Sequence, residues 1–302
     1  MDVIETHRLV KRYDDVTALA GIDLRIPAGA IFGFLGPNGA GKTTAMRILV
    51  GLLKPTAGRA AVFGRDALRQ STEIRRRIGY LSGDVRFYER MTGAKLLRFC
   101  DAIRGNGAAA EIRRLQRRFD LDLDRRIRDY SRGMKQKLGL IQALMHRPEL
   151  LILDEPTTAL DPLVQQTLYD ELRSVAAEGR TVLFSSHTLS EVELLCDRVA
   201  IIRGGRIIED SSISELRARA VRRVGLRLRN GGAEALALPA GAHVQASHDD
   251  GVTISWTGQA PALVSWLSRL DLLDVTVGPP DLEDLFTAYY RDDGEAAGKA
   301  MS

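Results

Sequence analysis

The sequence predicts an α/β fold: a mainly parallel sheet with helices on both faces, an antiparallel edge subdomain ahead of it, a helical insert, and a small C-terminal α+β domain. Three observations predict it. Short runs of strand length, apolar throughout, recur with helical stretches between them, as strands buried on both faces do. Between Thr92 and Arg128 such runs stop, and apolar residues return at helical spacing. After Asp210 the character changes again, to short strands in a separate small domain. The expected divisions are 1–217, 218–292 and a fraying tail, 293–302, of Gly, Ala and charged residues.

In chain order, the stretch from Thr6 to Ile26 alternates apolar and polar side chains (Leu9, Leu19, Ile22, Leu24, Ile26), which suits an antiparallel, partly exposed edge. Buried strands are expected at Ile31–Leu35, Ile78–Leu81, Leu150–Leu153, Thr181–Ser185 and Val199–Arg203. Thr44–Val50 has helical spacing shortly after the first of these. In the insert, Leu96, Leu97, Phe99, Ile103, Ile112, Leu115, Phe119 and Leu123 mark helical faces. Ser211–Leu216 reads as a turn into a helix, with Ser212 or Ser214 as its N-cap. Beyond it, Val224–Leu228, Val252–Trp256 and Val275–Val277 read as strands, and Ala262–Leu270 and Asp281–Tyr290 as helices.

The bulk chemistry narrows the class. Apolar residues make up 45% and charged residues 27%, ordinary proportions for a globular protein, so disorder is not expected. Every apolar run falls short of the roughly 20 residues that cross a bilayer, and the acidic start Met1-Asp2-Val3-Ile4-Glu5 lacks a signal-peptide pattern. The expectation is a soluble chain that stays in the cytoplasm. Cys100 and Cys196 stand alone without metal-ligand spacing, which suits reduced thiols. Net charge is +4, with arginine clusters at Arg75–Arg77, Arg113–Arg114, Arg117–Arg118, Arg125–Arg126 and Arg222–Arg223. Such clusters suit a nucleic-acid surface or attraction to anionic lipid heads. Acidic residues and alanines are mixed among them and few aromatics sit nearby, so solvated helix faces are the simpler reading and no nucleic acid is expected.

Chemistry concentrates in two places. Residues 36–44 read Gly36-Pro37-Asn38-Gly39-Ala40-Gly41-Lys42-Thr43-Thr44, with four free positions between a Gly and Gly-Lys-[Ser/Thr]. Gly36, Gly39 and Gly41 let the chain turn tightly and bring backbone N–H groups close to a nucleotide's phosphates. Lys42 reaches the β- and γ-phosphates, and the Thr43 hydroxyl holds Mg²⁺. The loop follows a strand and opens a helix, whose N-terminus favours anions. It marks the parallel sheet as a phosphate-loop nucleotide-hydrolysing core. The second place is Leu150-Leu151-Ile152-Leu153-Asp154-Glu155, four apolar residues and then two carboxylates at the end of a buried strand. Asp154 is positioned for the metal shell, and Glu155 for orienting or deprotonating an attacking water. The species expected to bind are ATP and Mg²⁺.

Together these motifs resemble those of ATP-binding-cassette ATPases, from Val3 to about Asp210. Tyr130-Ser131-Arg132-Gly133-Met134-Lys135-Gln136-Lys137 is similar to the family signature Leu-Ser-Gly-Gly-Gln. A Ser hydroxyl and a Gly N–H at a helix N-terminus make an anion site. The resemblance implies that Ser131 and Gly133 grip the γ-phosphate of ATP held by a second cassette. Arg132 and Met134 depart from the signature, away from those contacting positions. Thr158-Ala159-Leu160-Asp161 resembles the D-loop, which implies that Asp161 lies at the seam between cassettes. Ser185-Ser186-His187 follows a buried strand as the family's switch histidine does, implying a contact from His187 to the γ-phosphate. On its own, a single His after a strand also reads as structural. Tyr13, in Val10-Lys11-Arg12-Tyr13, sits where the family stacks an aromatic on adenine, and on its own reads as an edge-strand aromatic that packs.

One segment departs from the family. After Ile78-Gly79-Tyr80-Leu81 the family usually has a glutamine that senses metal and partner; here the chain runs Ser82-Gly83-Asp84, so Asp84 or a water is expected to serve for it. The resemblance implies a subunit that hydrolyses ATP with Glu155, His187 and Lys42 as catalytic groups. It also implies head-to-tail closure with a second cassette, as a homodimer or a heterodimer. With no membrane span in the sequence, transport would fall to a separate transmembrane permease that holds the subunit at the inner face of the cell membrane. The Tyr-Ser-x-Gly-Met-x-Gln form of the signature, and the segment Pro280–Phe286 followed by Tyr289-Tyr290, resemble bacterial exporters of drugs, antibiotics or lipid-linked compounds. The alternative is a soluble cassette ATPase acting on nucleic acid or ribosomes. Those carry long coiled-coil insertions or two cassettes in one chain, whereas this sequence has one phosphate loop and a modest insert.

Overall fold

The computed structural model describes residues 2–229, 236–248 and 251–281. The chain divides after Asp210 into two compact units, Met1–Asp210 and Ser211–Ser302. The first opens with a hairpin, β1 (Asp2–Tyr13) and β2 (Val16–Pro27), paired antiparallel across Asp14-Asp15. Asp14 takes φ 46°, a left-handed turn conformation that a short polar side chain tolerates. Then follow β3 (Ile31–Leu35), α1 (Lys42–Leu49), β4 (Ala57–Val62), β5 (Arg65–Asp66), α2 (Ser71–Arg77) and β6 (Ile78–Leu81). The insert supplies α3 (Gly93–Arg104), α4 (Ala109–Arg118) and α5 (Arg132–Leu144). The series closes with β7 (Leu150–Asp154), α6 (Pro162–Ala177), β8 (Thr181–Ser186), α7 (Leu189–Leu195), β9 (Arg198–Arg203) and β10 (Arg206–Ser212).

Two sheets result, with strand orders β2-β1-β4-β5 and β10-β9-β3-β8-β7-β6. In the larger, β3 runs parallel to β8 and β9, and β7 parallel to β6 and β8. Every residue of β3 and of β7 is buried, as unbroken apolar runs require. All the buried strands expected from the sequence are present, each within one residue of its expected ends. The antiparallel sheet backs the larger one. Leu9, Leu19, Ile22, Leu24 and Ile26 of β1 and β2 share a core with Phe32 and Phe34 of β3 and with Met46, Ile48 and Leu49 of α1. Burying side chains of this size is worth about 1.5–3 kcal/mol each, so the segment that carries the glycine-rich loop is anchored from both sides.

The second unit contains α8 (Ile213–Arg219), β11 (Val221–Leu228), β12 (Ala242–His248), β13 (Gly251–Trp256), α9 (Ala260–Leu267) and β14 (Leu272–Asp281). Its strands pair antiparallel in the order β12-β13-β11-β14 over a core of Val224, Leu226, Val252, Ile254, Trp256 and Leu263. The cap of α8 is Ser212: its hydroxyl accepts from the Glu215 N–H while the Glu215 carboxylate accepts from the Ser212 N–H. α8 groups with this unit, so the division lies one short helix ahead of the expected boundary at 217. β12 was not expected, because a register slip between Val244 and Ala246 breaks its alternation. The helix expected at Ala262–Leu270 starts earlier, at Ala260, with Pro261 in its first turn, and ends at Leu267. Of the helix expected at Asp281–Tyr290, Asp281 instead ends β14; the remainder, and the tail 293–302, lie outside the described residues. Among the described residues, no helix is long and apolar enough to cross a membrane.

Candidate active site

β3 ends at Leu35 and α1 starts at Lys42, so residues 36–41 turn from strand to helix at the C-terminal ends of the parallel strands, where open α/β sheets bind ligands. Glycine is dictated by space at two positions. A Cβ on Gly36 would overlap the Ile202 carbonyl oxygen, and one on Gly41, at φ 109°, would stand 2.5 Å from that of Ala18. The Gly36 N–H donates to the Ser186 carbonyl at 3.2 Å, which ties the loop to the end of β8. Pro37, Asn38 and Gly39 are exposed, whereas Ala40 is buried and Thr44 lies in the first turn of α1. The Lys42 side chain is nearly buried. Its ammonium donates to the carbonyls of Gly36 (2.5 Å) and Pro37 (3.1 Å) and lies 3.3 Å from the Glu155 carboxylate.

The acidic half of the site comes from strand register. β7 and β8 pair so that Asp154 stands beside Ser185. The Ser185 hydroxyl donates to one Asp154 carboxylate oxygen (2.8 Å) and accepts from the Glu155 N–H (2.9 Å), and the Thr43 hydroxyl donates to the other oxygen (2.7 Å). Asp154, 1% exposed, is thus a buried acceptor satisfied from both sides. Glu155 leaves the strand at φ 48°, a left-handed conformation of the sort that collects at functional sites. Its carboxylate also lies 3.6 Å from His187 Nδ1, and that imidazole is half exposed. Lys42, Thr43, Asp154, Glu155 and His187 therefore meet at one end of the sheet from three separate segments. Thr43 and Asp154 are hard oxygen donors, fitting Mg²⁺ held jointly with phosphate oxygens. Among the described residues, no cluster of three or more His, Cys, Asp or Glu offers an all-protein cage.

The other expected residues make contacts of their own, and of them only Gly83 borders this centre. Ser131 caps α5, its hydroxyl accepting from the Met134 N–H at 3.2 Å. The preceding Tyr130 donates its phenol to the Asp122 carbonyl at 2.5 Å, and burial pushes its pKa up to about 12. Gly133 packs so closely on the next loop that a Cβ would stand 2.7 Å from the Ala159 carbonyl oxygen. Asp161 caps α6, accepting from the Val164 N–H at 3.0 Å ahead of Pro162. Tyr13, 43% exposed at the tip of β1, has the Lys11 ammonium 4.9 Å from its ring centroid. A Cβ on Gly83 would stand 3.3 Å from the Asp154 carboxylate, whereas Asp84 is paired with Arg86 at 2.8 Å. Ser185 and Gln136 were quoted in motifs without a role. Their contacts depend on which strand and which loop lie alongside, and a single sequence carries no signal for that.

A family described as ABC transporter matches residues 19–158. The daunorubicin resistance ATP-binding protein DrrA3 of Streptomyces coeruleorubidus is 42% identical over 213 residues, 69% of this chain and 67% of that one. The bacitracin transport ATP-binding protein BcrA of Bacillus licheniformis is 35% identical over 293 residues, 94% of this chain and 96% of that one. A solved structure of an ATP-binding subunit of an ABC transporter matches with a TM-score of 0.65 at 30% identity, over 71% of this chain and 92% of that one. With a glycine-rich loop, a buried Asp154 and the adjoining Glu155 at one end of the parallel sheet, and relatives of this similarity and coverage, the chain belongs to the ABC transporter family as an ATP-binding subunit, an ATPase.

Proposed function

We propose that this subunit hydrolyses ATP to drive export of a drug, antibiotic or lipid-like compound through a separate permease, docked on it at the inner face of the membrane. The observation that carries the chemistry is the meeting of Lys42, Thr43, Asp154, Glu155 and His187 at the C-terminal end of the sheet. The direction and cargo rest on relatives named for daunorubicin resistance and bacitracin transport.

The backbone N–H groups of residues 36–44 cradle the phosphates, and Lys42 exchanges the Gly36 and Pro37 carbonyls and Glu155 for β- and γ-phosphate oxygens. Thr43 and Asp154 would hold Mg²⁺, which when bound offsets negative charge on the phosphate oxygens. Glu155, released from Lys42, accepts the proton of the attacking water, and His187 reaches the γ-phosphate from the end of β8. Tyr13 stacks on adenine. A second copy, or a related cassette, closes the site with its own Ser131 and Gly133, and Asp161 lies at that seam. Beside Asp154, the space left by Gly83 suits a water better than Asp84, whose carboxylate is engaged by Arg86.

Glu155→Gln keeps the shape and removes the proton acceptor. Turnover should fall about 10²–10⁴-fold while nucleotide affinity stays within about twofold, and the nucleotide-loaded variant should elute as a dimer. A variant that hydrolyses at the wild-type rate would overturn the base assignment. Purification of the chain from membranes tests the partner: recovery with a multi-span protein supports the permease, and recovery with ribosomes or nucleic acid alone refutes it.

A further inference from the structure

Gln136 lies on α5, a turn beyond Ser131 and Gly133. Its side chain is buried, and its amide donates to the Pro156 carbonyl at 3.0 Å and, at a longer 3.4 Å, to the Glu155 carbonyl. These are the residues at which the chain leaves β7 and Glu155 takes φ 48°. Gly133, on the same helix, abuts the Ala159 carbonyl farther along that loop, where Ala159 holds φ 64°. From the other side the loop is held by α6. Gln165 donates to the Leu160 carbonyl at 3.2 Å, and Asp161 caps the helix. Residues 155–161 are therefore clasped between two helices, and α5 is the one that also carries Ser131 and Gly133.

We propose that Gln136 is a positioning residue for Glu155, tying the aim of that carboxylate to the position of α5. The inference rests on the roles given above to Glu155, Ser131 and Gly133. Left-handed backbone is a sparsely populated state that its surroundings must hold in place. Rotation of the Glu155–Pro156 peptide swings the Cα–Cβ bond of Glu155, and the Gln136 amide resists that rotation. When Ser131 and Gly133 engage the triphosphate of a second copy, any shift of α5 passes through Gln136 into this peptide. Occupancy of the partner's site then sets the aim of the base in the chain's own site. Glutamine suits the task, since one amide presents two N–H donors to two carbonyls; methionine fills a similar volume with none, and an ionised glutamate has none.

The test uses the full chain, with hydrolysis rates measured across ATP concentrations and nucleotide affinity measured separately by equilibrium dialysis. Gln136→Met should lower kcat about 10- to 100-fold, leave KM and nucleotide affinity within about twofold, and bring the Hill coefficient for ATP towards one. Gln136→Glu adds a signature that a purely structural role would not give. The protonated carboxyl keeps one O–H to donate to the Pro156 carbonyl, whereas the ionised form has no donor and repels both carbonyls. Burial raises the pKa of that carboxyl, so the rate relative to wild type should recover as pH falls from about 8 to about 6. The relative rate of Gln136→Met should stay flat over that range. A Met variant with wild-type kcat overturns the proposal, and so does one whose rate falls in step with affinity or melting temperature. A Glu variant with no pH recovery overturns it as well. Glu155→Gln separates the two levels. If that variant stays active, the base assignment fails; if it is inactive while Gln136→Met is normal, the coupling alone fails.

Discussion

The two ends of β6, β7 and β8 handle charge in opposite ways. At their C-terminal ends the contacts are exchangeable: Lys42 and His187 lie 3.3 and 3.6 Å from one carboxylate, Glu155, and the other partners of Lys42 are backbone carbonyls. At their N-terminal ends most of the charges are closed into pairs within the chain, although Arg180 Nε and Nη1 and His146 Nδ1 are buried without a hydrogen-bond partner. Arg77 makes two 2.6 Å bonds to Glu149 and stacks 3.8 Å from the Phe63 ring, while Arg147 and Arg180 share Glu178 at 2.9 and 3.0 Å. The bond from Arg77 pulls the Glu149 carboxyl below its usual range. His146 donates its Nε2–H to the Ile78 carbonyl at 3.0 Å, and Arg104 caps the carbonyls of Arg75, Arg76 and Ile78 at 3.4 Å. Charge matched within the chain stabilises the fold, and charge left exchangeable can be passed to a ligand. In the cluster Arg75–Arg77, the Arg77 side chain is of the first kind. So are Arg114 and Arg118 of the insert, which both pair with the buried Glu171.

The sharpest way to break this contrast is to remove the cation at the exchangeable end. Lys42→Ala should weaken nucleotide binding about 100-fold, the scale of a charged hydrogen bond worth about 2–3 kcal/mol. The melting temperature of the nucleotide-free variant should change less, because the exposed loop at Pro37 and the part-exposed Glu155 let water replace the ammonium that is removed. Equilibrium dialysis and a thermal melt measure the two quantities. Unchanged affinity with unchanged turnover would remove Lys42 from the site.

At the closed end the expected effect is on stability rather than binding. Burial, together with the charges of Arg104 and Arg180, lowers the His146 pKa from 6.5 to about 4. In the unfolded chain His146 takes up a proton near its ordinary pKa, whereas in the folded chain it stays neutral until much lower pH. The unfolded state therefore binds more protons between about pH 6.5 and 4, so the stabilisation present above that window is lost as pH falls through it. For this partly exposed ring the loss is about 1–2 kcal/mol. Urea midpoints at about pH 7 and about pH 5 should show it in the wild type, and His146→Gln should lose less over the same interval. A variant with the same pH slope as the wild type would mean that His146 already titrates normally in the fold.

Most of the exchangeable end was legible in the sequence, and most of the closed end was not. Residues 36–44 and 150–155 declare themselves because chemistry fixes both residue types and spacing, and each lies within one strand–loop segment. The buried strands were equally plain, since only apolar residues fit a strand covered on both faces. Ser185 became part of the site only when β8 was found beside β7, with Asp154 opposite it. Gln136 needed the packing of α5 on residues 155–161. The pair Arg77–Glu149 joins residues ahead of β6 and β7, distant in sequence, and no local pattern announces such a partner. In the second unit β12 escaped notice because its bulge removes the period on which strand recognition depends. Asp161 shows the limit from the other direction. It fits the D-loop pattern, yet its carboxylate is also a good helix cap ahead of Pro162, and the sequence cannot separate the two uses.

The smallest expected effect sharpens what a closed pair is worth. Arg77 and Glu149 are respectively 33% and 57% exposed, so water screens them despite the bidentate geometry. A double-mutant cycle of Arg77→Met and Glu149→Gln should return a coupling of about 0.5–1 kcal/mol, falling as salt is raised. The single changes should not be equal. Arg77→Met loses the contact with Phe63 as well as the ion pair, about another 0.5–1 kcal/mol, whereas Glu149→Gln leaves the guanidinium stacked on the ring. Urea unfolding of the four chains at low and high salt gives all three quantities. A coupling near zero, with Arg77→Met still destabilising, would assign the stabilisation to stacking rather than to charge. The closed end would then be held by packing, and only the nucleotide end would depend on its ion pairs.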